Sequence, residues 1–403
     1  MTTPTQKDLI SANRKDIHID LAKSNASRSL RPHPLDLITL PHNALPEMDF
    51  NEVDTTCQFL NRTLSFPFMI TGMTGGTMRG DTLNLAFAEV ASQCKVALGI
   101  GSQRGSIARN RSQNELRRLA PDIPLIGNIG GVQLAQENGL DLAKAAVDDL
   151  EADALAIHLN PLQEIIQPEG DRNWRGVLTA IEKAVRDLPC PVLVKEVGAG
   201  ISSTVAQKLQ NVGVRHIDVA CAAGTSWARI EAERLPKEAR DIYEPFLDWG
   251  HLITDILPEM RQSLKDVTLI GSGGLRDGLD LAKLLWLGCD IGGGASILLK
   301  ALESEALDIQ QVDLHKSLET LKEQLTIALF LTGHKTPVFR DEVSGIREIQ
   351  LFINLNKKNL SLQIHSRSTK IYSKTLLKSS PRLEVSVFLL SEISNFFFLH
   401  TFG

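Results

Sequence analysis

The stretch ALAIHLNPLQEIIQPEGDRNW, residues 154–174, joins a short apolar run to an unusually polar segment. Its first four residues suit a buried strand, and Pro161, Pro168 and Gly170 supply the turn that must follow. The segment nevertheless carries further hydrogen-bonding groups, beginning with His158 and Asn160. These additional groups indicate that a ligand binds where the strand ends.

Eight apolar runs of this kind recur in order, each with a glycine or polar ending, and helix-forming segments separate most of them. Continuous apolar runs are typical of parallel strands covered on both faces. Eight strand–helix units over about 240 residues predict a (β/α)8 TIM barrel, an α/β fold, rather than an open doubly wound sheet. The runs are FPFMITGM, VALGIGS, PLIGNIG, ALAIHLN, PVLVKEV, HIDVACAA, TLIGSGG and DIGGGASI.

Three regions follow from this pattern. Residues 1–65 form an N-terminal extension, residues 66–340 form the barrel, and residues 341–403 form an atypical tail that contains no alanine. For the tail, a disordered segment and a sequence foreign to the barrel domain both stay open.

Composition limits the partners and the compartment. The net charge is −5 and no basic tract is dense, so nucleic acid is not expected as a ligand. Five scattered cysteines without a CxxC pair indicate free thiols in a reducing compartment, and no signal peptide or membrane-spanning run is evident. We therefore expect a cytoplasmic protein that does not bind membranes.

Two glycine-rich runs, GSGGLRDGLD from Gly271 and GGGAS from Gly292, follow the last two predicted strands. In TIM barrels these loops commonly hold a phosphate, which predicts a site for the phosphate of flavin mononucleotide (FMN); the alternative is two ordinary tight turns. Lys195 ends the fifth strand and is predicted to contact flavin N1 and O2. An ion pair with Glu196 is the alternative, but neighbouring strand residues point to opposite faces.

Other polar residues allow a functional and a structural interpretation. Glu164 could bind Mg²⁺ together with substrate phosphate oxygens, or could belong to a solvated loop. Arg14, Lys15 and His18 could bind a diphosphate with Arg104, although such residues usually form a solvated helix face. The run GTSWARIEAER could supply functional groups or simply begin an amphipathic helix.

Eight motifs in order resemble type 2 isopentenyl-diphosphate Δ-isomerase, an FMN-dependent family of isoprenoid synthesis, over roughly residues 10–333. They are RKDIH, ITGMTGG, GSQR, GNIG, HLNPLQEIIQPEGDRNW, VKEVG, GTSWARIEAER and SGGLR. The resemblance implies interconversion of isopentenyl and dimethylallyl diphosphate with reduced FMN, NADPH and Mg²⁺. A homo-oligomer is also expected.

The resemblance also implies residue roles. Glu164 would bind the metal, and Trp227 would face the developing cation with its ring. The expected catalytic group is His158, Asn160, Gln163, Trp227 and Glu231. The expected substrate contacts are Arg14, Lys15, Ser102, Gln103, Arg104 and Gln163. The expected FMN contacts are Thr71, Gly72, Met73, Thr74, Ser102, Asn128, Lys195, Thr225, Gly273, Gly274, Gly294 and Ala295.

Two alternatives stay open at this point. One is a redox FMN barrel of the 2-hydroxy-acid oxidase or dihydroorotate dehydrogenase type. The other is a flavin-binding protein without catalytic activity.

Overall fold

Eight parallel strands close into a barrel in chain order, which confirms the predicted (β/α)8 architecture. A short antiparallel hairpin, β1 (Cys57–Phe59) and β2 (Arg62–Leu64), precedes them. The barrel strands are β3 (Phe68–Ile70), β4 (Ala97–Gly99), β5 (Leu125–Gly130), β6 (Ala154–Leu159), β7 (Val192–Glu196), β8 (His216–Asp218), β9 (Thr268–Gly271) and β10 (Ile291–Gly294). Strand β10 pairs with β3 and closes the ring.

This computed structural model describes residues 6–23, 27–73, 75–301 and 311–339, and three later strands; in the first helix it describes side chains from Lys15 onward. The described helices are α1 (Gln6–Lys23), α2 (Met78–Cys94), α3 (Arg104–Ala108), α4 (Asn114–Leu119), α5 (Gly131–Leu134), α6 (Gly139–Leu150), α7 (Pro161–Ile166), α8 (Val177–Asp187), α9 (Ser203–Asn211), α10 (Trp227–Glu233), α11 (Lys237–Arg240), α12 (Ile253–Ser263), α13 (Gly278–Leu287), α14 (Ser296–Ala301) and α15 (Gln311–Thr332).

Side chains alternate along each strand between two apolar layers. One layer packs between the strands and the surrounding helices and includes Leu155 and Ile157 of β6. The other fills the barrel interior and includes Ala154 and Ala156 of the same strand. Because both faces are buried, the strands read as continuous apolar runs in the sequence.

The hairpin closes one end of the barrel. Phe59 and Leu64 are buried with the interior layer, and the Phe59 ring lies 6.1 Å from the ring of His216, the first residue of β8. A side chain beside the first residue of a barrel strand must lie at the N-terminal end of the sheet. The apolar plug therefore leaves the C-terminal end, called the mouth below, for polar groups.

The N-terminal extension reaches the mouth. The backbone of Ser29 donates to the carbonyl of Gly224, and Ser226 donates to the carbonyl of Ser27, at 3.1 and 2.7 Å. The His33 ring lies 2.8 Å from the carbonyl oxygen of Gly274. These contacts fix residues 27–33 against the loops that follow β8 and β9.

The chain divides into two units, residues 1–345 and 346–403. In the second unit, β11 (Phe352–Asn356), β12 (Asn359–Gln363) and β13 (Ser373–Leu376) form an antiparallel three-stranded sheet. Among the described helices, none combines the length and apolar character needed to cross a membrane.

Candidate active site

The inward-facing side chains change from apolar to polar at the last layer of the barrel. His158 of β6 aligns with Lys195 of β7, and Lys195 aligns with Asp218 of β8. Asn128 of β5 is buried beside them. Strand alternation places these groups above the apolar interior layer, so they form the floor of the mouth.

His158 is held by Asn128. The Asn128 amide nitrogen donates to the carbonyl of Ile100 at 3.0 Å, so its oxygen faces His158 Nδ1 at 2.8 Å. The imidazole therefore donates from Nδ1 and keeps Nε2 as an acceptor. Burial, with the positive charges of Lys195, Arg104 and Lys15, lowers the pKa of His158 to about 3. The ring is neutral at pH 7.

Lys195 lies in the mouth as predicted from its position at the end of β7. Its ammonium group is buried and donates to the main-chain carbonyl of Glu196 at 2.7 Å. The Glu196 side chain points the other way and accepts from the amides of residues 197–200 at 2.5–3.1 Å. The alternative of a Lys195–Glu196 side-chain ion pair does not occur, and Glu196 instead shapes the loop after β7.

Asp218 of β8 is a site residue that was not predicted from the sequence. This fully buried carboxylate accepts from the Ser272 hydroxyl at 2.5 Å through Oδ1, whereas Oδ2 has no hydrogen-bond partner in the described part of the chain. Burial raises the pKa of Asp218, and the charge of Lys195 acts in the opposite direction. Alternation within HIDV, which places Asp218 on the same face as Lys195, is the signal that could have identified it.

A second cluster, called the Glu231 cluster, joins three predicted catalytic residues to the extension. Glu231 Oε1 accepts from Gln163 Nε2 at 2.8 Å and lies 3.0 Å from His18 Nε2, and Oε2 pairs with Arg234. The His18 ring meets the Trp227 ring edge to face at 5.3 Å.

Position and charge in this cluster are set by packing. The Ser226 hydroxyl caps α10 by accepting from the main-chain amide of Arg229 at 3.2 Å, which fixes the helix that carries Glu231. Burial alone would raise the pKa of Glu231, but the hydrogen bonds and positive charges of its partners outweigh burial and hold the pKa at about 2. His18 is buried, so the solvated-face interpretation is wrong for this residue.

Glu164 lies in the first turn of α7 with both carboxylate oxygens oriented. Asn160 Nδ2 donates to Oε1 at 2.9 Å, and the Asp171 amide donates to Oε2 at 2.7 Å. Gly170 is required here, because a Cβ atom would stand 1.9 Å from the Glu164 carbonyl oxygen. Each carboxylate oxygen keeps a further lone pair, which fits one ligand of a Mg²⁺ ion.

Cations gather around the glycines that follow β3. Lys15 Nζ donates to the carbonyl of Gly75 at 2.5 Å, and Arg109 donates to that of Gly76. A Cβ atom on Gly76 would stand 3.0 Å from Lys15 Nζ and 3.1 Å from Arg109 Nη2, so glycine permits both contacts. Arg104 begins α3 and is exposed. Arg109 was missed, because no strand or motif marks it.

The predicted substrate-binding residues differ in whether their side chains already form hydrogen bonds within the protein. Gln103 is fully buried: its Oε1 accepts from the main-chain N–H of Asn128 at 2.9 Å, and its Nε2 donates to the Ala146 carbonyl at 3.0 Å. Its main-chain N–H donates to the Asn128 carbonyl at 2.8 Å, so Gln103 positions the strands beneath the predicted substrate site. Ser102 is half-buried in the loop that follows β4. Arg14 belongs to α1, but its side chain lies outside the described part of the structure.

The predicted FMN contacts surround the mouth on several loops. Gly273 and Gly274 adopt φ values of 103° and 118°, and a Cβ atom on Gly273 would stand 2.0 Å from the Cys221 carbonyl oxygen. Among the described residues, neither main-chain amide donates to a protein acceptor, so both could bind an anion. The other described members are partly exposed or buried and lie after β3 and β8 and at the end of β10: Thr71, Gly72, Met73, Thr225, Gly294 and Ala295. Thr74 lies outside the described residues.

Several of these groups fit a flavin. Lys195 offers a buried cation, Asn128 and Thr71 offer hydrogen bonds, and the glycine-rich loop at Gly273 and Gly274 offers a phosphate cradle. The Glu231 cluster lies beside a small cleft whose lining includes Gln163, Trp227, Trp249 and the loop after β7. The cleft therefore lies between the loop that follows Lys195 and the predicted catalytic side chains.

Comparison with known proteins agrees with this geometry. The isopentenyl-diphosphate delta-isomerase of Pseudescherichia vulneris is 46% identical over 300 residues, which cover 73% of this chain and 85% of that protein. The enzyme of the same name from Cronobacter sakazakii is 40% identical over 352 residues, which cover 86% and 98% of the two chains. No protein-family model matches the chain.

Solved structures show the fold alone, because their sequence identity is low. Mandelate oxidase with benzoyl-formic acid superposes with a TM-score of 0.56 at 17% identity, covering 82% of this chain and 94% of that one. A mandelate oxidase variant with the monooxide FMN adduct gives a TM-score of 0.54 at 17% identity, covering 80% and 89%. With two relatives at 40% identity or more over most of their length, the chain belongs to the isopentenyl-diphosphate delta-isomerase family, and its barrel fits the type 2 enzymes.

Proposed function

We propose that this chain is an isomerase that interconverts isopentenyl and dimethylallyl diphosphate in isoprenoid biosynthesis. The observation that carries the proposal is the Glu231 cluster, in which a buried carboxylate, Gln163 and Trp227 meet beside the cleft. Family membership agrees with this reaction. Moving the double bond adds one proton to the terminal alkene carbon and removes one from the methylene bonded to the branched alkene carbon. Substrate and product therefore have the same composition.

FMN is the cofactor that the mouth fits. Lys195 would bind the N1 and O2 edge of the ring system, and the backbone amides at Gly273 and Gly274 would hold the phosphate. When bound in its reduced form, FMN supplies an electron-rich ring system next to the alkene. NADPH would keep the flavin reduced, because the isomerisation itself involves no net redox change.

The chain's own residues position the alkene and stabilise the charge that develops on it. Glu231 is ionised at neutral pH, so its fixed negative charge can stabilise positive charge that develops on the substrate. Gln163 orients that carboxylate, and the π face of Trp227 excludes water and stabilises the same charge. His158 is neutral and lines the floor of the pocket, with Nε2 able to accept a hydrogen bond.

The diphosphate would be anchored away from the reacting carbons. Lys15, Arg104 and Arg109 provide cations at the rim, and Ser102 provides a hydroxyl group. Glu164 would be a ligand of Mg²⁺, whose charge would help to neutralise the diphosphate. Binding energy from this anchor can position the alkene without stabilising the ground state of the reacting carbons.

We also propose a cytoplasmic, homo-oligomeric protein. All five cysteines are free thiols in the structure, in agreement with a reducing compartment. Ile242, Phe246 and Trp249 expose large apolar side chains close together in the chain, which would suit a contact between copies. Sedimentation equilibrium of the full chain measures the state directly.

An anaerobic incubation in D₂O tests the function. The full chain is mixed with FMN, NADPH, Mg²⁺ and isopentenyl diphosphate, and the products are followed by NMR. Dimethylallyl diphosphate carrying deuterium, formed only when the flavin is reduced, is the expected result. Stoichiometric flavin reduction by a 2-hydroxy acid would instead support the redox alternative. Bound FMN without turnover in either assay would support a non-catalytic flavin protein.

A further inference from the structure

Three side chains with metal-binding chemistry meet on the outside of the barrel, far from the mouth. They are Cys94 at the end of α2 and His315 and Glu319 on α15. One ligand atom of each lies within 4.8 Å of the other two. His315 and Glu319 are four residues apart and therefore lie one above the other on the same face of the helix.

The position of this group separates it from the catalytic end. Helix α2 ends at Cys94 and β4 begins at Ala97, so Cys94 lies near the N-terminal end of the strands. The Ser65 hydroxyl donates to the Cys94 carbonyl, and the Ser65 amide donates to that of Lys95 at 2.9 Å. The group is therefore beside the end that the hairpin closes.

The backbone that carries these side chains is fixed. Lys95 caps α2 in the left-handed region at φ 51°, with its amide bonded within the last turn. On α15, Leu314, Leu318 and Leu321 are buried in the main core around His315 and Glu319. A ligand would therefore need side-chain rotation only, and the helices need not move.

We propose that Cys94, His315 and Glu319 form a Zn²⁺ site that ties α2 to α15. A thiolate, an imidazole and a carboxylate are the three ligand types that Zn²⁺ prefers, and a water molecule would complete a tetrahedral set. The thiolate and the carboxylate together neutralise the dication. Bonds of 2.0–2.3 Å require ligand atoms about 3.5 Å apart, and exposed Glu319 can rotate to close the present spacing.

Metal binding at this site should remove the proton of the Cys94 thiol. Without metal, burial and the neighbouring Glu319 carboxylate raise the pKa of the Cys94 thiol to about 12, while the charge of Lys322 lowers it. Binding forms a Zn–S bond and breaks the S–H bond, so one proton is released to solvent for each ion bound. A hydrogen-bonded thiol and carboxylate that never take up metal are the competing interpretation.

Cobalt substitution tests the site without any need for isomerase activity. Metal is removed from the full flavin-loaded chain with a chelator, and the cysteine thiols are kept in the reduced form. The chain is then titrated with Co²⁺. We expect one equivalent of Co²⁺ to give the d–d absorption bands of tetrahedral cobalt at the red end of the visible spectrum. A thiolate-to-cobalt charge-transfer band should appear in the difference spectrum. Added Zn²⁺ should abolish both bands.

Three variants decide whether these residues are the ligands. Cys94→Ser should abolish the charge-transfer band. His315→Asn should weaken binding more than about tenfold, the loss expected even for an outer-shell partner. Cys190→Ser, a half-buried thiol elsewhere, should leave both bands unchanged. Thermal unfolding of each metal-free variant checks that it is folded.

Two outcomes would overturn the proposal. One is the absence of tetrahedral bands in the wild-type chain. The other is an equal signal in Cys94→Ser and His315→Asn, which would mean an adventitious ion only. Neither outcome bears on the isomerase function, because the mouth contributes no ligand to this site.

Discussion

The two ends of the barrel are built from the same eight strands but differ in what fills them. At the N-terminal end, Phe59 and Leu64 of the hairpin join an apolar layer. At the mouth, the last inward positions are His158, Lys195 and Asp218. The inward-facing positions of the same strands therefore serve two purposes. The apolar residues at the closed end stabilise the fold, and the polar residues at the mouth are available for chemistry.

The largest effect is expected at the mouth. Glu231→Gln keeps the shape of the side chain but removes its charge, and one preorganised group that stabilises charge in the transition state contributes about 10²–10³-fold to rate. We expect isomerisation, measured by NMR, to fall within that range. FMN affinity should be nearly unchanged. The variant should unfold at a lower temperature, because the buried pairing of Glu231 with His18 and Arg234 is weakened, so activity is compared where the variant is folded. A folded variant with full activity would remove Glu231 from the catalytic group.

At the closed end, the expected change is in stability. Phe59→Ala removes a ring that is 3% exposed and packs against His216, which should cost about 3–5 kcal/mol of unfolding free energy. Urea denaturation measures this loss. At temperatures where the variant is folded, KM for isopentenyl diphosphate should match the wild-type value. A large KM change with little loss of stability would contradict the division between the two ends.

Arg109 sharpens the comparison at the rim of the mouth. Arg109→Met removes a cation from the glycine loop that also binds Lys15, and a charge-assisted bond contributes about 1.5–3 kcal/mol. We expect KM to rise about tenfold or more with little change in kcat. Arg118→Met, an exposed arginine on α4, is the matched control and should behave as wild type.

Protonation of His158 should link the mouth to stability. Its folded pKa of about 3 lies below the usual 6.5, so the unfolded chain binds the proton more tightly. The stability that the neutral ring provides is present above pH 6.5 and is lost as the pH falls toward 3. Between pH 7 and 5 we expect wild type to lose about 1 kcal/mol more than His158→Gln, after allowance for the ring's partial exposure.

A parallel pH loss in the two proteins would show that His158 is not the group responsible. The pH window also separates His158 from Glu231, whose pKa is lowered from 4.5 to about 2. The ionised form of Glu231 contributes to the free energy of unfolding above pH 4.5, and this contribution is lost as the pH falls from 4.5 toward 2. Its effect therefore lies outside the interval between pH 7 and 5.

The smallest effect should come from backbone strain in the mouth. Ala223, in the loop after β8, adopts a φ of 145°. Residues other than glycine rarely adopt this backbone conformation. Ala223→Gly should raise the free energy of unfolding by about 0.5–1 kcal/mol by relieving this strain. Calorimetry measures the gain, and a loss of stability would mean that the added freedom of the unfolded chain outweighs the relief.

The sequence alone determined the barrel and placed Lys195 and Glu196 on opposite faces of their strand. Continuous apolar runs predicted the eight strands in order, and alternation separated Lys195 from Glu196 correctly. These predictions succeed because strand geometry has a period of two residues and a parallel sheet must bury both faces. The glycine-rich endings were informative for the same local reason: a positive φ or a close approach excludes a Cβ atom.

Only the tertiary structure decided which distant groups meet. His18 meets Glu231 because α1 folds over α10, and Arg109 meets Lys15 because both reach the same glycine loop. Asp218 became a candidate when its register with Lys195 and its buried carboxylate oxygen were known. No periodicity encodes such contacts, because they depend on how helices and loops pack around the barrel rather than on the conformation of any one segment.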